Sequence, residues 1–202
     1  MNNEKEPKEK PRFDTIDGAT LYLCLEDSRL RIQNRLLEIM EDAPPSVHFC
    51  TEGFILGGGL EERIDSFVAK HSDTTLIIID TLQMVRRPGI DLSYANDYTD
   101  LTTLKKLADK HGIAILLIHH LRKQKDADPF NRISGTTGLS GAVDGSFTLV
   151  EERRGSGKAT LSCIGRDIEY RELELRRNES NIWELVSDSR ENPDLLLPDI
   201  VL

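Results

Sequence analysis

The chain has 202 residues, which is room for one domain with appendages and enough to bury a hydrophobic core. Its composition is 38% apolar and 30% charged, with only 5% aromatic residues, so the core is expected to be aliphatic and the surface densely charged. The formal net charge of −9 excludes a dominant basic footprint, and with it non-specific nucleic-acid binding as the main activity of this chain alone.

Three cysteines, Cys24, Cys50 and Cys163, stand far apart with no zinc spacing. Two of them sit in apolar runs, where a buried thiol is the expectation. An odd count with no visible secretory signal fits a reducing cytoplasm. No apolar run approaches the roughly 20 residues a membrane helix needs.

Residues 1–17 are rich in Lys, Glu, Asn and Pro, and are expected to be a disordered lead-in. The core is expected over 18–186, with 187–202 as a tail. Ala19–Leu25 is an apolar run of strand length. Ser28 is placed to cap a following helix, whose apolar face is Leu30, Ile32, Leu36, Leu37, Ile39 and Met40. Pro44-Pro45 is expected to end it. Val47–Cys50 is a short strand. After Gly57-Gly58-Gly59, the residues Leu60, Ile64, Phe67 and Val68 mark an amphipathic helix to about His71.

Thr75–Ile79 is a continuous apolar run ending in Asp80, as suits a strand covered on both faces. Met84–Asn96 contains Pro88 and Gly89 and reads as a loop. A helix follows from about Asp97 to His111, with Gly112 as its C-cap. Ile113–Ile118 is the next buried strand, ending in His119-His120. The β-α-β-α-β-α-β order predicts a mostly parallel sheet with helices on its faces. Beyond Leu121–Gly145, a polar stretch, the chain changes character. Ser146–Glu151, Ala159–Ile164, Glu169–Leu175 and Trp183–Val186 read as short strands, joined by hairpin turns at Gly155-Ser156-Gly157 and Asn178–Asn181.

Three strand ends carry polar residues: Glu26, Asp80 with Thr81, and His119-His120. Ligands of open α/β sheets bind outside the carboxyl ends of the strands, so these residues are expected to converge. Each suits nucleotide hydrolysis. Asp80 supplies the oxygen ligand that Mg²⁺ prefers, Glu26 a base for the attacking water, and a histidine a hydrogen bond to phosphate. Taken singly, Asp80 or Glu26 reads equally as a helix cap, and the histidines as a polar strand end.

The runs LYLCLEDSRLRIQNRL, TLIIIDTLQMVR, IAILLIHHLRK and SGTTGLSGAVDGSFTLVEE, in this order and spacing, resemble RecA-like P-loop ATPases of the RepA type, relatives of replicative helicases. The resemblance spans residues 18 to 186. It implies an α/β fold: a RecA-like, mostly parallel sheet with C-terminal antiparallel hairpins. It implies ATP and Mg²⁺ as cofactors, Glu26 as catalytic glutamate, Asp80 as Walker-B aspartate and metal ligand, and Thr81 beside it. His119 and His120 match the polar strand end that contacts the γ-phosphate. The region from Arg122 to Gly141 matches a mobile loop facing single-stranded DNA, in which Arg122, Lys123 and Lys125 read equally as a solvated basic turn. Arg166 and Lys158 match a trans-acting finger, with surface charge as the competing reading. A homo-oligomer or homologous subunit is the implied protein partner, in a DNA-replication or mobile-element context.

One signature is missing. No G-x-x-x-x-G-K-[ST] run, whose amides and Lys hold phosphates, occurs in the 202 residues. Gly155-Ser156-Gly157-Lys158 has Glu152 where the first glycine belongs and lies between two strands. Gly57-Gly58-Gly59 precedes a helix but lacks the Lys. The chain is therefore expected to start after the P-loop, by truncation or loss, and to hydrolyse ATP poorly alone. The alternative is a non-enzymatic, degenerate RecA-like domain that acts as an interaction or regulatory partner. In the RecA-like sheet the P-loop strand lies between those matching Ile113–Ile118 and Ser146–Glu151. These two are expected to close on each other or to have the gap filled by another segment or subunit.

Overall fold

The computed structural model describes Phe13 and residues 15–87, 94–123, 126, 128–133 and 137–191. Of the expectations above, Lys125, most of the lead-in, the loop around Pro88-Gly89 and the end of the tail lie outside the described residues. The first half follows the alternating pattern. Strand β1 (Ala19–Cys24) leads to helix α1 (Arg29–Ile39), β2 (Val47–Cys50), α2 (Leu60–Lys70) and β3 (Thr74–Asp80). A short α3 (Leu82–Val85) and long α4 (Tyr94–His111) then precede β4 (Ala114–Ile118). All four strands are parallel, in the order β2-β1-β3-β4.

The local reasons are readable. The Ser28 side chain accepts a hydrogen bond from the Arg31 amide and starts α1. That helix stops at Ile39, short of Pro44, because Met40 is already extended. Gly59, at φ 106°, and Gly112, at φ 65°, take left-handed conformations before α2 and after α4 that a side chain would strain. Helix α4 starts at Tyr94, earlier than expected, and Asp97 is buried in its first turn. There Asp97 pairs with the buried Arg86 at 2.6 Å, and Asp100 approaches the same guanidinium at 3.2 Å. Burial pushes the Asp100 carboxyl up, against the pull of Arg86.

Right-handed crossovers place helices by direction of travel along the sheet. The step from β1 to β2 runs one way, and those from β2 to β3 and β3 to β4 run the other. Helices α2 and α4 accordingly share one face with Leu21, Leu23, Ile77 and Ile79. Ile64, Ile77 and Ile79 are fully buried there, each stabilising the fold by about 1.5–3 kcal/mol. Helix α1 contributes no buried residue, and its Leu30 and Leu37 are more than 60% exposed.

The 121–145 stretch is less featureless than its composition implies. Leu121 bridges to Ile133, a 3-10 turn spans Pro129–Arg132, and α5 (Thr137–Ala142) packs Leu139 and Ala142 into the core. The second half is an antiparallel sheet of β5 (Gly145–Glu151), β6 (Lys158–Gly165), β7 (Arg171–Arg177) and β8 (Trp183–Asp188), each paired with the next. The hairpin turns fall where expected: Gly155 and Gly157 have positive φ, and Glu151 accepts hydrogen bonds from both amides. One of the two outcomes expected for these strands is corrected. Strands β4 and β5 do not close on each other; they belong to separate sheets, and each keeps an outer edge that pairs with no strand among the described residues.

Candidate active site at the carboxyl ends of β1, β3 and β4

The chain reverses its direction of travel between β1 and β3, and such a switch point opens a crevice at the carboxyl ends of the two strands. Register brings the right residues to it. Cys24 lies opposite Asp80, and the Leu25 amide donates to the Asp80 carbonyl at 2.8 Å. Strands β1 and β3 therefore end level, and Glu26, two residues past β1, meets Thr81, the residue after β3. The Thr81 hydroxyl donates to Glu26 Oε1 at 2.7 Å. Thr81 is buried, so this donor is fixed, whereas the Glu26 carboxylate is 43% exposed and faces outward. From the end of β4, His120 Nε2 stands 3.9 Å from Glu26 Oε2. Asp80 and Thr81 are joined by a cis peptide bond.

Asp80 has a partner that sequence reasoning missed. Tyr22, two residues before Cys24 and on the same face of β1, donates its hydroxyl to Asp80 Oδ2 at 2.9 Å. Burial and then the Asp80 hydrogen bond drive the phenol far above its ordinary pKa, which keeps it a donor. Burial and Asp80 likewise push the Cys24 thiol up to about 12, so it is an inert neighbour rather than a nucleophile. On the outer side, Asp27 anchors Arg31 at 3.1 Å and Arg35 at 2.5 Å, which ties the turn after Glu26 to α1.

These strand ends offer hard oxygen donors: the Glu26 carboxylate with the Thr81 hydroxyl, and the Asp80 carboxylate one residue before Thr81. Among the described residues no three His, Cys, Asp or Glu side chains form a metal cage. Such a set fits Mg²⁺, which takes one or two carboxylates and completes its shell with water and phosphate oxygens.

Comparison with known proteins decides the lineage. The AAA domain family matches residues 7–126, more than half of the chain. The chain belongs to the AAA domain family. The crystal structure of the RadB recombinase is similar in fold, with a TM-score of 0.56 and 16% identity over 84% of this chain and 80% of that one. No curated protein matches the chain in sequence. The chain thus has the RecA-like fold, with the parallel sheet and the C-terminal antiparallel sheet that the resemblance implied.

Not every residue singled out in the sequence joins the cluster of this AAA domain. His119 is half-buried at the end of β4, beside His120. Arg166 lies in the β6–β7 connection and pairs with Asp144 at 3.3 Å, while its amide donates to the Asp144 carbonyl. Lys105 binds the same carboxylate at 2.5 Å, and this hydrogen bond above all holds the Asp144 carboxyl below the usual range. Lys158 opens β6 opposite Arg176. The Arg122 amide donates to the Arg132 carbonyl, which folds the start of the polar stretch after β4 back on itself. A cross-strand register is what sequence alone lacked for Tyr22; its only signal was a tyrosine of matching parity in an otherwise aliphatic strand.

Proposed function

We propose that the RecA-like domain contributes the hydrolytic half of an ATP site. Asp80 binds Mg²⁺ through one carboxylate oxygen, Glu26 accepts a proton from the attacking water, and Thr81 holds Glu26 in place. His120, with His119 next to it in the chain, would hydrogen-bond a phosphate from the end of β4. The observation that carries this reading is the meeting of Glu26, Thr81 and Asp80 at the switch point, joined by the 2.7 Å bond between Thr81 and Glu26. Bound Mg²⁺ would draw charge off the phosphate oxygens. No G-x-x-x-x-G-K-[ST] run is among the 202 residues, and no residue is assigned as the phosphate cradle.

The RepA-type resemblance supports a helicase-like role in DNA replication or a mobile element, in the cytoplasm, with single-stranded DNA at the Arg122–Gly141 stretch. It also supports an oligomer in which Arg166 reaches a neighbour's nucleotide. For that, Arg166 must leave Asp144. A recombinase as fold neighbour is in keeping with work on DNA. The missing phosphate motif favours a second reading, a RecA-like domain that regulates or binds a homologous partner without catalysis.

Titrating ATP against the purified chain with and without Mg²⁺ separates the two. Mg²⁺-dependent binding that Asp80→Asn reduces at least tenfold supports the ATP site. No binding at millimolar nucleotide leaves the partner role, and binding that survives Asp80→Asn refutes the metal assignment.

A further inference from the structure

We propose that Tyr22 is a positioning residue for the metal-binding carboxylate: by donating its hydroxyl to Asp80 Oδ2 it fixes the carboxylate's rotation and reserves Oδ1 for the ion. This rests on the reading of Asp80 as a metal ligand. A carboxylate at the end of a strand can rotate about its last bond, and a free one presents both oxygens. Here the backbone of Asp80 is already held by the Leu25 amide at 2.8 Å, so the side-chain torsion is what remains to be set. Tyr22 sets it at 2.9 Å from a ring that is itself half-buried and packed 5.8 Å from Phe49.

The chemistry of the donor matters as much as its place. A lysine or arginine there would neutralise the carboxylate and compete with a dication. A phenol is neutral, and it donates one hydrogen bond while leaving the negative charge in place. Phenylalanine would keep the ring contacts and lose only the donor. Partners of metal ligands act in this way generally, and their removal costs roughly ten- to a hundredfold in metal affinity.

The test uses the chain as it is, with Mn²⁺ alone as the probe. Bound Mn²⁺ is counted by the loss of its free electron-paramagnetic-resonance signal, and tyrosine absorbance near the red edge is followed in the same titration. Tyr22→Phe should weaken Mn²⁺ by about tenfold, leave the circular dichroism near the unaltered value, lower the urea midpoint by no more than the loss of one hydrogen bond does, and abolish the metal-dependent tyrosine difference spectrum. Tyr22→Leu, which loses the ring as well, should weaken Mn²⁺ no further than Tyr22→Phe. Unchanged Mn²⁺ affinity in Tyr22→Phe, with loss in Asp80→Asn, overturns the positioning role and leaves the metal site standing. Unchanged binding in both variants, or no Mn²⁺ binding by the unaltered chain, overturns the metal reading and the positioning role with it.

Discussion

Thr81 carries the cluster's most buried polar bond, because its side chain is 1% exposed while its hydroxyl reaches the partly solvated Glu26. Replacing it by valine keeps shape and strand preference and removes one donor to a charged acceptor. Such bonds contribute about 1.5–3 kcal/mol, and water can reach Glu26, so the expected cost lies at the low end of that range. A urea unfolding curve of Thr81→Val with an unchanged midpoint would show that the bond does not hold Glu26. At this scale much was legible. Glu26, Asp80 and His120 were visible because each ends an apolar run, and a run's end is where a parallel strand meets solvent. Tyr22 was not, because its role depends on the pairing of Cys24 with Asp80, which brings Tyr22 to a carboxylate 58 residues away in the chain. Arg166 looked like a free cation, and only the β5–β6 register shows Asp144 beside it.

Between elements, ion pairs do the tying. Asp65 on α2 accepts from Lys110 at 2.7 Å and from His111 at 2.5 Å at the end of α4. The Lys110 hydrogen bond first, and that of His111 second, lower its pKa. A depressed carboxyl contributes stability that is present above the unfolded value, about 3.9, and is lost as pH falls through the folded value. The exposed pair is worth about 0.2–1 kcal/mol. The melting temperature of the unaltered protein should therefore exceed that of Asp65→Asn at pH 5, and the gap should close as pH falls below about 4; a gap that persists in acid would rule the pairing out as its source. Strand positions were legible at this scale because continuous and alternating apolar runs have distinct periods. The early start of α4 was not, since Asp97 reads as a cap until Arg86 is seen against it. Nor was α5, whose Thr-Gly-Leu-Ser-Gly-Ala sequence has little helical preference and is held by packing of Leu139 and Ala142.

For the whole molecule, the two sheets expose strand edges and apolar side chains near each other in sequence. Leu116 on β4 and Phe147 and Leu149 on β5 are all substantially exposed. Unpaired edges of this kind recruit other strands, and net charge is what opposes it. The chain is −9 at pH 7 and its isoelectric point is about 5.1. Light scattering should therefore show little association at pH 8 and a steep rise as pH approaches 5, reversed by Leu149→Lys; association that is equal at both pH values would mean that the edges are not the cause. The architecture as a whole followed from the β-α order and the later hairpins. The division into two sheets did not, because a sequence shows which runs are strands more readily than which strands share a ladder.

The Arg86–Asp97 pair gives the molecule a mechanical property. Arg86 follows directly on α3, which is wedged in place by buried Leu82 and Val85 and by the bond from the Leu56 amide to the Val85 carbonyl. Asp97 belongs to α4, so the segment that follows β3 and that helix are clamped through one guanidinium. The pair therefore joins α4 to the segment that carries Thr81 and Asp80. On the proposed reading of the site, a displacement of α4 would reach it through this one contact.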